Sequence, residues 1–357
     1  PLRFMKILVD GRPLVDPKPG GVPRVSRALV RSLMAAMPEH QFSLLTTGAS
    51  QPVFPFALPQ HATHEHIYIP NKLWSAATWL NAWSLDGWSR MKPDVLFFPN
   101  LGDIGRPQIP YALLIHDLSF LIEPRWFSWK ARLWHKRVHA KRLIRGAKFL
   151  FAASEKTKED LQEHLKIDAK KIIPLPFGLD PEISPAPIPD PIGRDRFFLV
   201  LGMDDRRKNT ECVLSAFRAL CRKNPSAPLR LVVVGGRKKI APEPRLSVLS
   251  HPSDNALAGL FAQATAFLYP SWYEGFGIPL HEAARFGTPC IASSAGCLPE
   301  TAPKGTLFAS PAKPHHWMQA MELILHAPDS YKTQTRLQDW TAAAHLLRDR
   351  LFSITQR

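Results

Sequence analysis

The chain is poor in cysteine, in acidic residues and in long apolar runs, and each shortage excludes something. Its four cysteines, Cys212, Cys221, Cys290 and Cys297, show no metal-ligand spacing, and two fall where a helix or strand core is expected. They read as reduced, buried thiols rather than a disulfide frame or a zinc site. No stretch approaches the roughly 18 apolar residues that would span a bilayer. The opening residues, Pro1 to Lys6, lead straight into a short strand without the pattern of a secretory leader, and those ahead of Met5 read as an addition. The expected location is therefore the cytoplasm. No Asp-x-Asp pair lies on a suitable loop, so a site working without a metal is expected. No helix-turn-helix, zinc-finger or ribonucleoprotein signature accompanies the basic charge, which argues against nucleic acid as partner.

What is present fits two globular domains: 357 residues, 45% of them hydrophobic, allow a core in each. Lys and Arg number 46 against 30 Asp and Glu, a formal charge of +16. The surplus is uneven, since residues 1 to 150 carry 20 basic against 9 acidic residues. Between Arg125 and Lys148 lie nine basic residues and no acid, interleaved with Trp126, Phe127, Trp129, Leu133, Trp134, Val138 and Leu143. An amphipathic helix on an anionic membrane surface fits this pattern. So does a solvated basic face whose aromatics pack on the domain core, and both readings stay open. The tryptophan-rich stretch Trp74, Trp79, Trp83, Trp88 carries no motif and suits either core packing or an acceptor surface.

Apolar runs predict strands at residues 5–10, 41–46, 95–98, 112–115 and 149–152 with helices between, one of them from about 23 to 37. This alternation implies a parallel sheet. Residues 174–191 are proline-rich and read as a linker, and the alternation restarts with strands at 197–201, 229–234 and 264–269 and helices at 209–222 and 254–264. The expected fold class is α/β with two Rossmann-like domains. Residues 1–177 form the first, 178–194 the linker and 195–339 the second, with a ligand expected in the cleft at the carboxyl ends of both sheets.

The most informative block is Ser271-Trp-Tyr-Glu-Gly-Phe-Gly-Ile-Pro-Leu-His-Glu-Ala-Ala-Arg-Phe-Gly-Thr-Pro289. It follows a buried strand and opens a short helix at Pro279, a residue favoured at helix starts. The amides of Phe276, Gly277 and Ile278 then become donors at the positive end of the helix dipole, suited to a phosphate. Glu274 lies on the loop and Glu282 about one turn inside the helix. Two carboxylates beside an anion site make sense for a nucleoside diphosphate sugar, whose ribose and hexose hydroxyls donate to acids. The whole block closely resembles the Glu-x7-Glu signature of the retaining family 4 (group 1) glycosyltransferases. The resemblance implies a GT-B arrangement, with a last helix at about 340–357 crossing back to the first domain and front-face transfer with retention. It gives Glu274 the transferred sugar and Glu282 the ribose.

Other segments are similar to elements of that family. Leu201-Gly-Met-Asp-Asp-Arg-Arg-Lys-Asn209 follows a strand and opens a helix, and cations at such a strand end neutralise a diphosphate and the charge developing on it. The family's Lys corresponds to Lys208, and Arg207 supplies the charge that many relatives carry where this chain has Met203. Ile115-His-Asp-Leu-Ser-Phe120 resembles the motif whose histidine, here His116, approaches the sugar as a catalytic group. Asp117 is expected to orient the loop or the histidine. Gly20 and Gly21 match a glycine-rich loop that lets backbone approach the diphosphate or acceptor. Asp10 and Arg12 resemble an Asp-Ala-Arg element that braces the sheet edge. Pro176-Phe-Gly-Leu-Asp180 carries Phe177 in place of the family's Asn, and Ser294 to Glu300 resembles a conformational loop. The combination is most similar to mannosyltransferase-type members, which favours GDP-mannose over a UDP-sugar, with no other cofactor. The expected acceptor is a hydroxyl of a glycan or lipid-linked molecule, in cell-surface polysaccharide synthesis. Residues 125–148 are a candidate contact with the inner face of the cytoplasmic membrane.

Overall fold

A computed structural model describes residues 4–16, 20–180, 183–188, 192, 195–236 and 243–356. Pro19, at the expected glycine-rich turn, and much of the expected linker lie outside these. The chain divides into two compact units, one of residues 1–180 with 339–357, the other of residues 181–338.

The first unit contains a parallel sheet of β1 (Lys6–Asp10), β2 (Gln41–Thr47), β3 (Ala62–Ile67), β4 (Val95–Phe98), β5 (Tyr111–Ile115), β6 (Phe149–Ala152) and β7 (Ile172–Pro174). Their order is 3-2-1-4-5-6-7. The central strands are continuous apolar runs because a parallel sheet is covered on both faces: β4 and β5 are buried at every position. The edge strands escaped the sequence reading for the complementary reason. Strand β3 reads Ala-Thr-His-Glu-His-Ile and stays partly exposed, and β7 ends on Pro174, a residue tolerated at an edge. Pro174 is thus a strand residue, not linker.

Helices α1 (Gly21–Ala35), α2 (Asn71–Trp79), α3 (Ser119–Ile122), α4 (Trp129–Arg137), α5 (Ala140–Gly146) and α6 (Glu155–Leu165) belong to this unit. The basic segment is not one amphipathic helix. It breaks at His139, whose φ of 51° is left-handed, between α4 and α5. Helix α4 buries none of its residues, whereas α5 buries Ala140, Leu143 and Ile144. Trp74 is fully buried, packs on Trp83 and Trp88, and donates its indole N–H to the Asp103 carbonyl at 2.7 Å. Trp79, by contrast, is exposed.

The second unit holds α7 (Thr210–Lys223), α8 (Asp254–Gln263), α9 (Ile278–Ala284), α10 (Leu298–Thr301) and α11 (Pro314–His326). These accompany a parallel sheet of β8 (Arg196–Leu201), β9 (Leu229–Val234), β10 (Leu246–Leu249), β11 (Ala266–Tyr269), β12 (Cys290–Ser293) and β13 (Leu307–Ala309). The order is 10-9-8-11-12-13, the same doubly wound pattern, with strand order reversing beside β8. All four cysteines are free thiols, Cys212, Cys290 and Cys297 buried, and burial pushes Cys290 up to about 12. The last helix, α12 (Thr341–Thr355), packs on α1 in the first unit and buries Ala343, Ala344, Leu347, Leu351 and Phe352.

Candidate functional site

The site in the second unit grows from the carboxyl ends of β8 and β11. Gly202 closes β8 at a φ of +91°, and a Cβ there would sit 2.7 Å from Lys208 Cγ, so glycine lets the lysine stem lie across the strand end. Asp205 then accepts the Arg207 amide at 2.9 Å and starts a single turn over Arg206–Lys208. Asn209 ends that turn in a left-handed conformation, φ 53°, and its amide donates to the carbonyls of Pro270 (3.1 Å) and Pro311 (2.8 Å). The Trp272 amide donates to the Arg207 carbonyl at 2.9 Å. Two loops from neighbouring strands are thereby tied together.

Held this way, Lys208 Nζ lies 2.8 Å from Glu274 Oε1 and 2.9 Å from the Tyr269 hydroxyl. Arg207 reaches the other Glu274 oxygen at 2.8 Å and donates to the Tyr273 carbonyl at 2.8 Å. Glu274 is 7% exposed. Burial alone would raise its pKa, but Arg207 and Lys208 outweigh it and bring the carboxyl down to about 2. Tyr269 is pushed well above 10 by burial and by the Glu274 charge, so it remains a phenol. Arg207 also pairs with Asp205 Oδ2 at 3.2 Å, so two cations and two carboxylates meet at the adjoining strand ends.

Next along the chain, Gly277 caps α9 at a φ of +99°, and a Cβ there would stand 2.9 Å from Leu298 Cδ2. Ile278 is the first helical residue. The Phe276 carbonyl accepts from the Thr301 hydroxyl and its ring stacks on His281 at 5.5 Å. Glu282 lies one turn into α9 and is half-buried. The structure thus joins Arg207, Lys208 and Glu274 in direct contact, with Phe276, Gly277, Ile278 and Glu282 following on the same segment.

The remaining expected residues lie in the first unit. His116 follows β5, and its Nε2 is 2.9 Å from the Pro99 carbonyl. A carbonyl only accepts, so Nε2 carries the proton and Nδ1 is left as an acceptor. Burial lowers the pKa against the opposing pull of Pro99 and Asp117, which keeps the ring neutral near pH 7. Asp117 accepts from the Ser119 amide and hydroxyl and so braces the loop, while its charge also acts on the His116 ring. The Ser26 hydroxyl on α1 donates to the same Pro99 carbonyl at 3.5 Å. Gly20 and Gly21 start α1: Gly20 has an extended φ of 177°, and a Cβ on Gly21 would meet nothing within 4 Å. Neither glycine is demanded by its own conformation or packing. Arg12 clasps Asp10 with two contacts of 2.8 Å and donates to the Asp103 carbonyl, a brace between loops. Phe177 packs edge-on to His116 at 6.3 Å and against Trp340 at 5.3 Å.

Tyr269, Asp205 and Asn209 are the residues that sequence reasoning passed over. Tyr269 closes an apolar run that reads as a buried strand, and Asp205 and Asn209 stand in the Leu201–Asn209 motif with no local sign of their partners.

No helix of the described residues is long and apolar enough to cross a membrane. Solved structures share the fold along almost the whole chain. A sucrose-phosphate synthase from Thermosynechococcus elongatus superposes with a TM-score of 0.70 at 19% identity, covering 99% of this chain and 96% of that one. WaaG, a glycosyltransferase involved in lipopolysaccharide biosynthesis, gives 0.63 at 18% identity over 99% and 98%. The architecture is GT-B type. Two family models match in tandem: Glycosyltransferase Family 4 over residues 19–183 and Glycosyl transferases group 1 over residues 189–339. The chain belongs to the family 4, group 1 glycosyltransferases. An O-antigen chain mannosyltransferase of Salmonella typhimurium is 24% identical over 61% of this chain and 62% of its own. An MMP alpha-(1->4)-mannosyltransferase of Mycolicibacterium hassiacum is 31% identical over 49% of this chain and 44% of its own. The chain thus spans about half to three fifths of these curated relatives.

Proposed function

We propose that this protein is a retaining, metal-independent glycosyltransferase that moves a hexose from a nucleotide sugar to a hydroxyl of a glycan or lipid-linked acceptor in cell-surface polysaccharide synthesis. The observation that carries the reading is the Arg207–Lys208–Glu274 cluster beside Gly202. In this reading the donor's diphosphate takes the two cations, aided by the amides of Phe276, Gly277 and Ile278 and by Gly20 and Gly21 at the start of α1. Glu274, released from its partners, takes hexose hydroxyls, and Glu282 takes the ribose. As the bond from the sugar to the phosphate oxygen breaks, Arg207 and Lys208 hold the charge that appears on the leaving diphosphate. The acceptor oxygen bonds the same face of the sugar, and its proton passes to a phosphate oxygen. His116, neutral with Nδ1 free to accept, receives a hydrogen bond from a hydroxyl of the transferred sugar.

Mannose from GDP-mannose is the favoured donor, supported by the mannosyltransferases among the relatives. The anticipated place of work is the cytoplasmic side of the membrane, with the exposed Trp129, Leu133 and Trp134 of the basic segment towards anionic lipid. The test is thermal stabilisation by GDP and UDP with and without chelator, since a ligand of the folded state raises Tm by mass action. Stabilisation is expected to persist with chelator and to be largely lost in Lys208→Ala. If chelator abolishes it and Lys208→Ala does not, the metal-free diphosphate site is wrong.

A further inference from the structure

The bend at His139 opens a groove of about 1280 Å³ within the first unit, between α3, α4 and α5. Its apolar lining is Phe120, Leu121, Trp129 and Leu133. Interleaved with these are Arg132, Lys136, Lys141, Arg142 and Arg145, and among the described residues no Asp or Glu lines the groove. Like charges crowded into one concavity repel each other unless an anion joins them. Arg142 makes the point atom by atom. Its NH1 donates to Asn81 Oδ1 at 2.5 Å, whereas its NH2 is buried and has no hydrogen-bond partner among the described residues. A buried, unpartnered guanidinium nitrogen costs stability unless a ligand supplies an acceptor. Its pKa is lowered by burial and by the nearby Arg106, the response of a cation with no counter-ion among the described residues.

A flat bilayer cannot follow a concave wall, but a single lipid head can enter it. At its α3 end the groove begins with Phe120 and Leu121, a few residues beyond His116. Beyond its other rim stand the exposed Trp79 and Leu80, tied to the bend where the His139 ring meets the Trp79 carbonyl at 3.0 Å. We propose that this groove seats the phosphate-bearing end of a lipid-linked acceptor. Arg142, Lys141 and Arg145 take the phosphate oxygens, and Phe120, Leu121, Trp129 and Leu133 cover the first carbons of the chain. The word acceptor rests on the glycosyltransferase reading; the amphiphile site rests on the groove alone.

The probe is farnesyl diphosphate, titrated calorimetrically into the full chain with GDP or UDP at saturation to block the Lys208 site. Binding near one equivalent is expected, at least tenfold tighter than inorganic pyrophosphate. It should weaken at least tenfold in Arg142→Gln and in Lys141→Gln/Arg145→Gln, the latter pair being exposed and remote from the core. Lys208→Ala should bind farnesyl diphosphate normally. Phosphatidylglycerol vesicles should bind the Arg142→Gln variant nearly as well as the parent. Unchanged farnesyl diphosphate binding in both variants, or pyrophosphate binding equally well, overturns the site. Vesicle binding that falls in step with farnesyl diphosphate binding reassigns the groove to the bilayer and overturns the acceptor assignment. If farnesyl diphosphate binds as described but no nucleoside diphosphate does, the groove stands and the glycosyltransferase reading falls.

Discussion

Glu274 faces two demands at once. In this structure its two oxygens are engaged by Arg207 and Lys208, and in the proposed reaction it serves the sugar. A diphosphate must therefore compete with a carboxylate already seated on its cations. Glu274→Gln keeps the shape and removes the competing charge, so affinity for free nucleoside diphosphate should rise, by on the order of tenfold or about 1.4 kcal/mol. Transfer should fall, because the sugar loses its carboxylate. Calorimetry with the diphosphate and steady-state transfer on the same variant check both arms, and an unchanged or weakened diphosphate affinity contradicts the competition. The Glu274 carboxyl sits at about 2 against an ordinary 4.5. The stability this ion pairing adds is present above about pH 4.5 and fades as pH falls towards 2.

Among the elements, α9 is held by a histidine that no motif explains. His281 is buried, with Nε2 2.7 Å from the Thr301 carbonyl and Nδ1 2.9 Å from the Thr335 hydroxyl. The carbonyl must accept, so the neutral ring donates through Nε2 and accepts through Nδ1. Burial lowers its pKa from 6.5 to about 4. Between those values the unfolded chain binds a proton that the folded one refuses, so stability drops by about 1.4 kcal/mol per pH unit as pH falls. Thermal unfolding at pH 7, 6 and 5 should show a shallower acid decline in His281→Gln than in the parent, even though the variant starts less stable. Parallel slopes would remove His281 from the acid response. The other elements show where periodicity succeeds and fails: buried strands such as β5 announce themselves as apolar runs, whereas β3, with its alternating histidines, does not. The basic segment has an amphipathic composition, but no local signal marked the left-handed His139 that splits it.

At the scale of the whole molecule, the chain leaves the first unit near Asp180 and returns at Asp339. Gly178 marks that passage. A Cβ on it would lie 2.5 Å from the Asp339 carbonyl carbon and 2.7 Å from the Trp340 amide, both backbone atoms with little freedom to yield. Gly178→Ala should therefore push α12 off its seat on α1, at a cost of about 1–3 kcal/mol. A fall in Tm of several degrees is expected. An unchanged Tm would show that the return strand is loosely held.

The α/β class and the repeated parallel order were written in the sequence, since strands buried on both faces must be apolar throughout and turns need glycine, proline or asparagine. So were the residue types that meet in the second unit, cations after β8 and a carboxylate after β11. What only the tertiary structure decided is partnership. Lys208 and Glu274 meet across 66 residues of chain, and nothing local to either says that the carboxylate rests on the cations. The same holds for Trp74, buried while Trp79 is exposed, and for Arg142, which has an amide partner but no counter-ion among the described residues. Periodicity reports which face of an element is covered; only long-range packing settles what covers it.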